Sequence, residues 1–183
     1  PGPRPALPPD AEGVVVEANT RTVCTFTDAR LPTLTLRKEV VNEWGGTADV
    51  GDFTATLDGA AVLWNDVLSL SNESYVLGEE GPAGYDDGDW SCSGATGFDP
   101  ETDTVSLGWG DEATCSITNR DRAATLELVK VVVVDDGGEA EASDWTLSAD
   151  GPTPISGAGG TMGQVAAGTY VLAEEGPGGY AAS

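Results

Sequence analysis

The stretch Tyr75-Val76-Leu77-Gly78-Glu79-Glu80-Gly81-Pro82-Ala83-Gly84-Tyr85 returns almost letter for letter as Tyr170-Val171-Leu172-Ala173-Glu174-Glu175-Gly176-Pro177-Gly178-Gly179-Tyr180. A chain with such a copy is built from one module used more than once, so its fold must be small and must place these residues equivalently each time. On a period of two, Tyr75, Leu77 and Glu79 share one face of a strand, and the Gly-Pro-x-Gly that follows reads as a turn. A carboxylate therefore lies on an apolar face.

The repeat extends beyond this stretch. Thr125-Leu126-Glu127-Leu128-Val129-Lys130 matches Thr33 to Lys38 at an offset of 92 (125 − 33), and Asp144 to Leu147 matches Asp52 to Ala55 at the same offset. Glu174 follows Glu79 at 95 (174 − 79), while Cys24 with Asp28 precedes Cys115 with Asn119 at 91 (115 − 24). The phase predicts three pieces: a proline-rich lead-in with the terminal strands of a preceding module over 1–32, a complete module over 33–122, and a partial module, its first strands only, over 123–183.

Glycine (25) and proline (11) are plentiful, and no long helical periodicity runs through the chain. Short strands joined by turns are expected, hence an all-β class. Strands are predicted at Val14–Val16, Val23–Asp28, Thr33–Val41, Asp52–Leu57, Val62–Leu70, around Tyr75, Thr104–Leu107 and Ala113–Asn119. The alternation Leu34, Leu36, Lys38, Val40 puts a lysine on the core-facing side of the first strand of the module, and Cys115, Ile117, Asn119 put an amide on that of the last.

Eight basic residues against 31 acidic ones give a formal net charge of −23, which argues against nucleic acid and anionic membranes as partners. No apolar run is long enough to span a membrane. The opening Pro1-Gly2-Pro3-Arg4-Pro5 is not a signal peptide, so the chain reads as an excised or processed piece. Histidine is absent, and the three cysteines form no Cys-x-x-Cys pair, so neither a His-based triad, a metal centre nor a cofactor is expected.

Lys38, Glu79 and Asn119 come from the first, a middle and the last strand of the complete module, each on its interior face. If the first and last strands lie side by side, the three meet in one apolar pocket. Burial lowers the pKa of a lysine and raises that of a glutamate. A neutral amine can attack the side-chain carbonyl of Asn119 while protonated Glu79 polarises that carbonyl and shuttles protons, leaving an isopeptide bond and ammonia. The alternative is a buried Lys38–Glu79 ion pair with Asn119 as a hydrogen-bond partner, or a Lys38 that snorkels outward. Arg37 and Glu80, the next residues along, read as solvent-facing.

These residues resemble the prealbumin-like, SpaA-like or CnaB-like repeats of Gram-positive surface adhesins and pilins. The matching pieces are Leu-Thr-Leu-x-Lys (Leu34 to Lys38), Tyr-x-Leu-x-Glu (Tyr75 to Glu79), Gly-Pro-Ala-Gly-Tyr (Gly81 to Tyr85), Asp-Trp-Ser-Cys (Asp89 to Cys92) and Thr-Cys-Ser-Ile-Thr-Asn (Thr114 to Asn119). The resemblance implies tandem small Greek-key, transthyretin-like β-sandwich modules serving as a stalk, the two end modules incomplete, with Lys38 and Asn119 as the isopeptide pair and Glu79 as its catalyst. Asp28 stands where Asn119 does, but its lysine and glutamate would lie upstream. Lys130 and Glu174 have no asparagine after them in this sequence. In a secreted protein of this kind Cys92 and Cys115, one strand-loop-strand unit apart, are expected to form a disulfide, leaving Cys24 over.

The expected function is that of a structural repeat in a secreted or wall-attached bacterial surface protein, its partners being neighbouring modules of the same chain and, through other domains, a host or matrix ligand. The rival is an adhesive module in which Trp44, Trp64 and Trp109, read as exposed, or the acidic loops Asp86-Asp87-Gly88-Asp89 and Asp99 to Asp103, recognise a glycan, a matrix protein or calcium. Neither loop has the EF-hand arrangement. A turnover enzyme is the least supported class, since the one reaction visible is directed at the chain itself.

Overall fold

The computed structural model describes residues 13–135 and 137–181. The chain is nearly all β. Its first ten strands are β1 (Thr33–Val41), β2 (Thr54–Leu57), β3 (Ala60–Val62), β4 (Val67–Ser69), β5 (Ser74–Glu80), β6 (Tyr85–Asp86), β7 (Ser91–Ser93), β8 (Gly97–Asp99), β9 (Thr104–Ser106) and β10 (Glu112–Asp121). They form two sheets of five strands. One has the order β4-β1-β10-β6, with β7 also on β10, and the other the order β3-β2-β5-β9-β8.

The two sheets enclose a single core because the strands alternate. Leu34 and Leu36 of β1 and Ala113, Cys115 and Ile117 of β10 share a core with Ala55, Leu57, Leu77 and Val105 of the opposite sheet and with Leu107 just after β9. Burying side chains of this kind contributes about 1.5 to 3 kcal/mol each for the larger ones. The first and last strands are neighbours and run parallel, in the register Leu36↔Cys115, Lys38↔Ile117 and Val40↔Asn119. That pairing carries the interior face of both strands past the last leucine to Lys38 and Asn119.

The second part repeats the scheme with β11 (Ala124–Val129), β12 (Thr146–Asp150), β13 (Ile155–Ala158), β14 (Gly160–Val165) and β15 (Val171–Glu175). Here β11 pairs with β14, and β12 lies between β13 and β15. Glu174 stands opposite Leu147 in this register, as Glu79 stands opposite Ala55.

Four features differ from the sequence expectation. Residues 13–32 contain no strand. Val14, Val15, Val16, Val23 and Phe26 are all exposed, and so is the free Cys24. β-Propensity holds a strand only where a neighbour pairs its backbone groups and covers its side chains, and none of the described strands does so here. The run Val62–Leu70 is not one strand but the end of β3 and all of β4, in opposite sheets, the chain crossing at Trp64 to Asp66. Asn65 takes a positive φ of 66° at this crossing. Asp52 belongs to a 3-10 turn (Val50–Asp52) rather than to β2, because Asp49 and Asp52 cap each other's backbone in a capping box. Finally β10 runs two residues beyond Asn119, to Asp121.

Candidate functional site

Lys38, Glu79 and Asn119 meet at one end of the first sandwich. Lys38 Nζ donates to Glu79 Oε2 at 2.6 Å, and Asn119 Nδ2 donates to the other oxygen of the same carboxylate, Oε1. The Lys38 and Glu79 side chains are 0% and 5% exposed, and Asn119 is wholly buried. The alternation of β1 and β10 directs the lysine and the amide inward, and β5 supplies the carboxylate from the facing sheet, opposite the small Ala55. Arg37 and Glu80 are exposed.

Two aromatic rings cover the ammonium. Lys38 Nζ lies 4.3 Å from the centre of the Phe53 ring and 5.9 Å from that of Trp64. Burial pushes the lysine below its ordinary pKa of 10.5, against the Glu79 hydrogen bond and the negative charges of Glu79 and Asp87, which act to raise it. The site thus favours the neutral amine more than water does, and a carboxylate able to accept its proton touches it.

The second repeat holds the same pair in a more open setting. Lys130 Nζ donates to Glu174 Oε2 at 2.6 Å, 4.7 Å from the Trp145 ring, with side chains 15% and 33% exposed. Trp145 occupies the position of Phe53, and its edge-to-face contact with Tyr180 repeats that of Phe53 with Tyr85. Asp28 is exposed and, among the described residues, is not brought to either lysine.

Cys92 and Cys115 form a disulfide joining β7 to β10 within the core-forming sheet. Two residues on from Asn119, the buried carboxylate of Asp121 accepts from the backbone N–H groups of Glu43, Trp44 and Gly46 at 2.7, 2.8 and 2.7 Å. Its burial raises the pKa, but these hydrogen bonds together outweigh it and hold the carboxyl below the usual range. Asp121 escapes notice in the sequence only because the last strand was expected to stop at Asn119; the same alternation continued by one step places it inward. Phe53 is signalled by the aromatic at the matching position, Trp145.

The tryptophans divide. Trp64 is half-buried, stacked on Trp90 at 6.1 Å with its Nε1 donating to the Phe53 carbonyl, so the expectation of an exposed ring is corrected: the crossing from β3 to β4 folds it over the core. Trp44 is also half-buried, while Trp109 is 55% exposed. In the second acidic loop Asp99 accepts from Glu101 N and Thr102 Oγ1, as a turn-forming aspartate does. Among the described residues no group of three or more His, Cys, Asp or Glu is arranged to hold a metal ion.

Two stacked sets of short antiparallel strands, closed by a parallel first and last strand with a lysine, a glutamate and an asparagine sealed between the sheets, define a small β-sandwich module. A family model, SpaA_2, described as a prealbumin-like fold domain, matches residues 30–117 and again 121–183, and the chain belongs to this family. No curated protein and no solved structure is significantly similar to the chain.

Proposed function

We propose that the chain is part of the stalk of an extracellular bacterial surface protein of the adhesin or pilin type, and that its complete module is locked by an isopeptide bond between Lys38 and Asn119 in addition to the disulfide. The observation that carries this reading is the shared carboxylate: the two oxygens of Glu79 hold the Lys38 amine and the Asn119 amide at the same time, out of water. Glu79 accepts a proton from Lys38 Nζ, the neutral amine attacks Cγ of Asn119, and Glu79 returns the proton to Nδ2, which leaves as ammonia and takes the second amine proton with it as ammonium. The bond then ties the first strand to the last across a parallel pairing, where a pull on the chain would otherwise slide one past the other.

A stalk also requires that modules keep their spacing. The turn gripped by Asp121 offers the Trp44 carbonyl to the Ala167 N–H of the following repeat at 2.7 Å, which supports neighbouring modules as the partners of this one. Gly45, at a φ of +87°, permits the approach, since a Cβ there would meet the Ala167 carbonyl oxygen at 2.7 Å. Among the described residues no helix is long and apolar enough to cross a membrane.

Stretching single molecules by their termini tests the mechanical role. With the bond in place, the segment between residues 38 and 119 adds no length when the module is pulled. With the Cys92–Cys115 disulfide reduced, full extension through that segment would refute the locked-stalk reading.

A further inference from the structure

The acidic loop after β6 folds over the buried amide. Asp87 Oδ1 accepts from Asn119 Nδ2 at 3.2 Å, and the backbone N–H of Gly88 points at Asn119 Oδ1 at 3.5 Å. The loop approaches β10 so closely that a Cβ on Gly88 would collide with the Thr118 carbonyl oxygen. Glycine is therefore required for the approach itself. The amide of Asn119 is thus gripped at its nitrogen by two carboxylates, Glu79 and Asp87, and at its oxygen by a backbone donor. Glu79 is sealed from water while Asp87 is exposed, so Asp87 is the link from the buried amide to solvent.

We propose that Asp87 is a second catalytic carboxylate of the cross-linking reaction, stabilising the nitrogen that Asn119 loses and passing it to solvent; this rests on the cross-link reading above. Lys38 enters as an ammonium and gives one proton to Glu79. Its nitrogen then bonds to Cγ of Asn119, and the carbonyl electrons move to Oδ1, where the Gly88 N–H receives the growing charge. Glu79 protonates Nδ2. The C=O re-forms, the Cγ–Nδ2 bond breaks, and the second proton from the Lys38 nitrogen leaves with the departing ammonia as ammonium. The balance is one lysine ammonium and one carboxamide in, one secondary amide and one ammonium out. Positive charge grows on Nδ2 at the atom that Asp87 contacts, and an anionic carboxylate there stabilises it more than it stabilises the neutral amide.

The second repeat offers a natural contrast. At the offset of 95 that relates Glu174 to Glu79, the residues after Tyr180 are Ala181, Ala182 and Ser183, where the first repeat has Asp86, Asp87 and Gly88. The lysine–glutamate pair is shared and the loop chemistry is not.

The test is a time course on the full chain made by cell-free synthesis, quenched at intervals and read by intact mass after reduction. Wild type loses the mass of one ammonia, and Asp87→Asn and Asp87→Ala do so about ten- to a hundredfold more slowly, the effect of removing a hydrogen bond to a charged group. Asp86→Asn removes the same charge next door, from a residue that faces Arg122 at 3.4 Å, and should react at the wild-type rate. Disulfide formation in each variant reports that it has folded. A wild-type rate in Asp87→Asn, or equal slowing in Asp86→Asn, overturns the role of Asp87 and leaves the cross-link standing. No mass loss in wild type overturns both.

Discussion

Lys38 and Glu79 face each other at 2.6 Å with almost no solvent between them and the core, whereas Lys130 and Glu174, at the same distance, stand partly open. The difference decides what each pair contributes. A buried charge that loses its partner costs about 3 to 5 kcal/mol, while an open pair contributes about 0 to 1 kcal/mol.

Glu79→Gln is therefore expected to abolish the cross-link and to destabilise the module through Lys38. Comparing Asn119→Ala with Asn119→Ala/Glu79→Gln removes the bond from both sides of the comparison. The double variant should be less stable by about 3 kcal/mol or more in chemical denaturation, against about 1 kcal/mol or less for Glu174→Gln in the second repeat. Equal effects at the two sites would contradict the assigned burial.

The disulfide spans a sequence separation of 23 residues. In the chain-entropy account, closing such a loop contributes about 3 kcal/mol. Cys92→Ser/Cys115→Ser should lower stability by roughly that amount in an Asn119→Ala background. It should have less effect where the Lys38–Asn119 bond, which encloses the same loop, already restrains the unfolded chain.

Asp121 makes the module acid-sensitive. Its folded pKa lies below its ordinary 3.8, so its contribution is fully present above that value and is lost as the pH falls through the lower, folded one. Asp111, held below the ordinary range first by the Gly108 N–H and then by Thr96, acts in the same sense. Stability measured against pH should fall with acid more steeply in wild type than in Asp121→Asn. The variant itself should be less stable near neutrality, because its amide offers only one acceptor oxygen to three backbone donors.

Gly81, the first glycine of the repeated Gly-Pro-x-Gly, lies against the Phe53 ring, and a Cβ there would overlap it; Gly176 stands in the same relation to Trp145. Gly81→Ala should displace the ring that covers Lys38. The expected result is slower cross-linking at an unchanged disulfide yield, measured by intact mass.

Much of the site is legible in the sequence because two independent patterns agree on it. Strand alternation gives Lys38, Glu79 and Asn119 their inward phase, and the repeat shows that Lys38 and Glu79 recur together. Asp87 and Gly88 are legible only as an acidic loop, since contacts made by loop backbone leave no periodic trace. The segment around Cys24 and Asp28 has the composition of β10 without its neighbours, and composition alone does not make a strand. The crossing at Trp64 to Asp66 is hidden for a related reason. Apolar residues flank Asn65 and Asp66 on both sides, yet those before the crossing belong to one sheet and those after it to the other.

The most direct test of the central claim is the mass of the purified, folded chain with its disulfide reduced, followed by peptide mapping. The cross-link predicts a chain lighter than its sequence by one ammonia and a branched peptide joining Lys38 to Asn119, both lost in Lys38→Ala, Glu79→Ala and Asn119→Ala. A folded wild-type chain at its full sequence mass, with Lys38 and Asn119 in separate unmodified peptides, would contradict it.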